Sequence, residues 1–149
     1  LKDNFAEIGY RSKEIELNKE TMVHNLLLVA IGGGLGSIMR YLLTYIWPLN
    51  NTNTLPVATL IANVLGCLLI GFIGTYLTKT FGGSPQLRLF LTVGFCGGLT
   101  TFSTFINEST GMLQANHLLL CAGYLALSVS LGFMALYCGI WLAEIVTEY

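Results

Sequence analysis

The chain has 149 residues, of which 54% are hydrophobic and 10% charged, with a formal net charge of −1. A water-soluble domain of this size would struggle to keep so much apolar surface from solvent, so the composition excludes one and points to an all-α integral membrane protein. Most of the charge lies near the N-terminus: from residue 22 onward Arg40, Lys79 and Arg88 face Glu108, Glu144 and Glu148 and nothing else.

Residues 1–21 are polar and mixed in sign, with Lys2, Asp3, Glu7, Arg11, Lys13, Glu14, Glu16, Lys19 and Glu20, and contain no apolar core of a secretory signal. They are read as an N-terminal extension, either an exposed helix or a disordered segment. Met22 directly precedes the first apolar run, so the extension is also readable as non-native, with the natural start at Met22. Residues 22–149 are the membrane domain.

Four apolar stretches follow, at 25–47, 57–77, 87–112 and 117–143, each near or above the length of about 20 residues that spans a hydrocarbon core. The first carries Gly32 and Gly36, a small-xxx-small pair suited to close helix crossing, and Arg40. Arg40 stands seven residues before Trp47, about 10 Å along a helix axis, from where it either snorkels to the headgroups as an anchor or forms a positive collar at an aqueous vestibule. Pro48 to Pro56 is a polar turn region. The second stretch places Thr59 and Asn63 four apart, on one helical face. A second loop, Lys79 to Pro85 with Gly82, Gly83 and Ser84, leads to the third stretch; Asn116 and His117 mark the third turn. The fourth stretch holds Tyr124 and Ser128 on one face, and Ser128 with Gly132 as another small pair. Interhelical hydrogen bonding and the lining of a polar path are both open for each of these hydroxyl and amide residues.

The third stretch is built unlike a plain span. Residues 94–105 read Gly-Phe-Cys-Gly-Gly-Leu-Thr-Thr-Phe-Ser-Thr-Phe. Gly97 and Gly98 each cost about 1 kcal/mol of helix propensity relative to alanine, and Thr100, Thr101, Ser103 and Thr104 compete for backbone hydrogen bonds. The spacing predicts a bend or break at mid-membrane, tolerated only where protein or a polar cavity satisfies the backbone; the alternative is a glycine-lined close crossing. Phe102 and Phe105 follow at a spacing of three, and a ring edge is positive enough to meet a desolvated small anion. Glu108 lies just beyond, and its pairing with Arg40 is open.

Cys67, Cys96, Cys121 and Cys138 all fall in apolar segments without a Cys-x-x-Cys pair, which argues against a disulfide framework or a zinc site. His24 and His117 sit at segment ends. No nucleophile, base and orienting acid can be assembled, so no enzyme is expected, and no nucleic-acid partner. Lys79 and Arg88 weakly favour the side shared with the N-terminus as cytoplasmic. One four-helix chain has little room for a sealed polar route, so two copies are expected to combine.

Three segments carry a resemblance. Gly32-Gly-Gly-Leu-Gly-Ser-Ile-Met-Arg40-Tyr41, Ala62-Asn63-Val-Leu-Gly66 and residues 94–105 resemble, in order, the three signatures of the Fluc/CrcB fluoride channel family, across about residues 22–143. The resemblance implies four transmembrane helices per chain with a broken third helix, assembled as an antiparallel, dual-topology homodimer that exports fluoride passively across a bacterial-type plasma (inner) membrane. It implies that Phe102 and Phe105 are the pore phenylalanines, that Asn63 is a fluoride-facing donor, and that Thr59, Tyr124 and Ser128, with Ser103 and Thr104, belong to the fluoride path. Arg40 matches the vestibule arginine, and the carbonyls of Gly97 and Thr100 match those that hold a structural sodium ion (Na+) at the two-fold axis. Two rivals stand beside it: a small multidrug-type proton-coupled exporter, which needs a membrane carboxylate and has only Glu108, and a non-transporting scaffold subunit.

Overall fold

Apolar length dictates the architecture. In the computed structural model, which describes residues 2–49, 51–80 and 84–148 with side chains from residue 18 onward, four segments are long and apolar enough to cross a bilayer: Asn18–Ile46, Val57–Thr80, Pro85–Gln114 and Leu118–Glu148. They match the four expected stretches. The first belongs to helix α1 (Lys2–Ile46), whose backbone continues into the polar N-terminal segment; the second is α2 (Val57–Thr80). Asn50, Phe81, Gly82 and Gly83, which fall in the expected loops, lie outside the described residues, as do the side chains of residues 1–17.

The third span is composite. It begins with α3 (Pro85–Arg88), passes through a π-helical segment (Leu89–Cys96) and a single turn, α4 (Gly97–Leu99), and resumes as α5 (Phe102–Gln114). Between α4 and α5, Thr100 (φ −78°, ψ 154°) and Thr101 (φ −150°, ψ 119°) adopt extended backbone. The fourth span is α6 (Leu118–Glu148).

The α5–α6 turn is a Schellman motif. Asn116 N–H donates to Leu113 O and His117 N–H to Met112 O, while Asn116 takes the left-handed conformation (φ 61°) that asparagine tolerates better than most residues. The turn read from Asn116 and His117 is where the sequence places it.

Small residues bring the spans together. A β-carbon at Gly36 would fall on the Phe95 carbonyl oxygen, and one at Gly98 on the Gly33 carbonyl, so α1 and the third span meet backbone to backbone. Between α2 and α6 the close approach is made by Gly71 and Gly139, which meet the carbonyls of Leu136 and Leu68. The Ser128–Gly132 pair does not make it; Gly132 stands only at ordinary contact distance from Cys67. Helical spacing shows which residues share a face, but the partner of that face is set by packing.

Much of the apolar surface of the first and fourth spans faces outward: Leu27, Ile38, Leu119, Phe133 and Trp141 are all more than half exposed. In a bilayer such a surface is at home. The buried cluster lies toward the end where α5 meets α6, with Phe105, Met112, Cys121 and Tyr124 packed beside Leu55, Leu60 and Leu120.

Candidate functional site

Extended backbone inside a span leaves amides and carbonyls without helical partners, and each must be satisfied. Asn63 on α2 satisfies the Thr101 amide, its Oδ1 accepting from Thr101 N–H at 2.8 Å, and its Nδ2 donates at 3.2 Å to Thr101 O, the N-cap carbonyl that also opens the α5 ladder. One Nδ2 hydrogen remains for another acceptor. Gly66, one turn along from Ala62, gives the Thr100 methyl the room that any side chain there would take. The Ala62-Asn63-Val-Leu-Gly66 signature therefore reads as a surface fitted to the extended pair.

The hydroxyls around the pair hold it in place. Thr100 Oγ1 donates back to Cys96 O at 2.9 Å. Thr101 is the N-cap of α5, where its Oγ1 accepts from Thr104 N–H at 3.3 Å and donates to Thr104 Oγ1 at 3.0 Å. Ser103 is exposed, with its hydroxyl 3.5 Å from that of Thr101.

These bonds divert two amides. Thr101 N–H, the helical donor to Gly97 O, is given to Asn63, and Thr104 N–H, the donor to Thr100 O, is given to Thr101 Oγ1. The carbonyls of Gly97 and Thr100 are thereby released from helical hydrogen bonding. Gly98 O, whose helical donor would be Phe102 N–H, accepts instead from Arg40 Nε at 3.1 Å. Arg40 is thus turned onto the third span.

A second polar cluster lies one to two turns further on. Thr59 Oγ1 donates to Glu108 Oε1 at 2.7 Å and Tyr124 OH donates to Glu108 Oε2 at 2.9 Å, so α2, α5 and α6 converge on one carboxylate. Thr59 and Asn63, expected to share a face, both reach the third span, at Glu108 and at Thr101. Within the chain Arg40 and Glu108 bond to different partners. The convergence on Glu108 was not foreseen; its signal was present, since a carboxylate within a span needs donors and the nearby spans offer few.

The two phenylalanines divide. Phe105 is 7% exposed and packs on Tyr124 with ring centroids 5.0 Å apart and planes at 60°. Phe102 is 75% exposed, its ring centroid 6.1 Å from that of Phe105. The spacing of three makes the rings neighbours, but only one points into the chain. Ser128 Oγ is buried and has no hydrogen-bond partner among the described residues. It borders a groove of about 280 Å³ formed with Cys67, Val129, Gly132, Phe133 and Leu136.

Four apolar spans that enclose hydroxyls, an amide, a carboxylate and extended backbone define the class: a polytopic α-helical membrane protein with a polar interior. The chain belongs to the CrcB-like, camphor resistance (CrcB) family, whose model matches residues 27–140. It is 46% identical over 119 residues to a protein of Flavobacterium psychrophilum named fluoride-specific ion channel FluC, covering 80% of this chain and 96% of that one. Proteins of the same name from Chlorobium phaeobacteroides (46% over 129 residues, 84% and 96% of the two chains) and Phocaeicola vulgatus (44% over 120 residues, 80% and 98%) match similarly. The family expected from the three signatures is the family found.

Proposed function

We propose that this chain is a fluoride-selective ion channel that lets fluoride leave the cell passively and so lowers its cytoplasmic concentration. It is a multi-pass protein of the plasma membrane and not an enzyme. One observation carries the reading: relatives named as fluoride-specific channels align with it at 44–46% identity over 96–98% of their own lengths.

The geometry supports it chemically. Fluoride stripped of water needs donors that hold it weakly enough to release it. Thr59, Asn63, Thr104, Tyr124 and Ser128 are neutral donors within or beside the polar clusters, Ser128 with its hydroxyl buried and unpaired. Phe105 and Phe102 offer ring edges, and Ser103 an exposed hydroxyl. An anion that reaches Thr59 or Tyr124 competes with Glu108 for their hydroxyls, which keeps their hold on it light.

The third span works as a broken helix, a reading supported by the extended dihedrals at Thr100 and Thr101. The chain works as an antiparallel homodimer of dual topology. The exposure of Phe102 supports this, since a pore-facing ring left outside one chain needs a second copy to enclose it. The carbonyls of Gly97 and Thr100 fit a structural sodium ion at the dimer axis: freed from helical amides, they are the hard oxygens that such a cation prefers. When bound, the ion would supply fixed positive charge beside the path.

Efflux from liposomes tests the reading. The purified protein should release fluoride electrogenically and retain chloride, and Phe102→Ile and Phe105→Ile, which keep apolar volume but lose the polarised ring edge, should cut fluoride efflux at least about tenfold while the protein stays dimeric on size exclusion. Proton-coupled cation exchange would favour the exporter that Glu108 makes conceivable; no flux of either kind would leave a scaffold.

A further inference from the structure

Gly32, Gly36 and Arg40 follow one another at a spacing of four, so Arg40 lies on the face of α1 that packs against the third span. Side chains on a helix lean toward its N-terminus, and for Arg40, near the C-terminal end of α1, that direction is toward mid-membrane. Reaching the nearer headgroups would require the opposite lean. The side chain is half-buried, and its Nε donates to Gly98 O at 3.1 Å.

Gly98 O is the carbonyl that a continuous helix would give to Phe102 N–H. The third span therefore has two ways to satisfy it: an uninterrupted helix, or an external donor. We propose that Arg40 is the external donor and acts as a positioning residue for the channel. By replacing the Phe102 amide at the end of α4, its guanidinium biases Thr100 and Thr101 toward extended backbone and so sets where α5 and Phe102 begin. The positive charge also lies at the C-terminal end of the helical first half of the span, where the helix dipole favours it. Asn63 ties down the other side of the same interruption. This differs from a vestibule collar, in which only the charge of Arg40 would matter.

Side-chain length separates the two roles. In Arg40→Gln the amide nitrogen sits at the same ε position as the arginine Nε, a neutral donor in the same place; Arg40→Lys keeps the charge but loses the planar Nε–H; Arg40→Leu keeps neither. Each variant is compared with the full-length wild-type protein in two assays: fluoride efflux from liposomes at low and high ionic strength, and hydrogen exchange of peptides spanning residues 97–105. The flux arm rests on the channel reading; the exchange arm does not. The expected result is that Arg40→Leu speeds exchange in that peptide about tenfold or more and cuts flux comparably, while Arg40→Gln restores most of both and keeps the wild-type response to salt. If Arg40→Leu does not fold, Gln against Lys decides. Wild-type flux in Lys with loss in Gln would establish the collar and overturn the proposal, as would unchanged exchange in Arg40→Leu. A wild-type protein without flux, combined with the expected exchange pattern, would overturn the channel reading and leave the positioning role standing.

Discussion

Asn63 holds both polar ends of its side chain on one backbone unit, accepting from Thr101 N–H and donating to Thr101 O. Replacing it with leucine leaves the Thr101 amide without its partner, and Thr101 O with its helical donor alone, in a segment that lipid or protein surrounds. Asn63→Leu should therefore destabilise the protein by about 1–3 kcal/mol, seen as a lower Tm in detergent, and should also slow fluoride efflux. An unchanged Tm would mean that water or another side chain takes over the Thr101 amide. At the same scale, the divided exposure of Phe102 and Phe105 was hidden in the sequence. A spacing of three makes two rings neighbours, but which one is buried depends on what Tyr124 and Met112 bring from elsewhere in the chain.

At the scale of elements, the glycine pairs were legible and their partners were not. Gly32 and Gly36 on α1 meet Gly94 and the backbone around Phe95 and Leu99, as small-xxx-small spacing allows. Gly34, on another face of the same helix, has open space around its α-carbon. Gly34→Ala should be neutral or raise stability by up to about 1 kcal/mol through helix propensity, whereas Gly36→Ala should cost about 1–3 kcal/mol because backbone cannot yield to the added methyl. Thermal unfolding of the two variants side by side checks the contrast; equal Tm values would show that the α1 crossing is looser than its backbone contacts imply. The segment 94–105 declared its irregularity through glycine and hydroxyl content. The π-helical stretch from Leu89 to Cys96 gave a weaker signal, since beside its apolar residues it holds only Thr92 and Gly94, the latter packed against Val29 and Gly32 of α1.

For the whole molecule, charge placement governs orientation. Lys79 closes α2 and Arg88 ends α3, on the side where α1 starts and α6 ends; the opposite connections, 47–56 and 115–117, contain no Lys, Arg, Asp or Glu. Positive-inside counting then favours a cytoplasmic N-terminus. An antiparallel homodimer needs both orientations. A C-terminal orientation reporter should thus detect both, with the N-inside form in excess, and neutralising Arg11, Lys13 and Lys19 should move the ratio toward equality. A single orientation in a conducting protein would rule out the antiparallel pair of identical chains.

Class, span number, the place of the irregular segment and the family were all decided by composition and local spacing. Apolar length and turn chemistry are properties of neighbours along the chain, and hydrocarbon leaves them few alternatives. Who bonds to whom was decided only when the spans packed. Arg40 on Gly98 O, Asn63 on Thr101, and Thr59 and Tyr124 each on Glu108 join residues 16 to 58 positions apart. No local pattern specifies such pairs, because a hydrogen bond of about 3 Å depends on how two helices cross and rotate, and that is set by the sum of close contacts across the molecule.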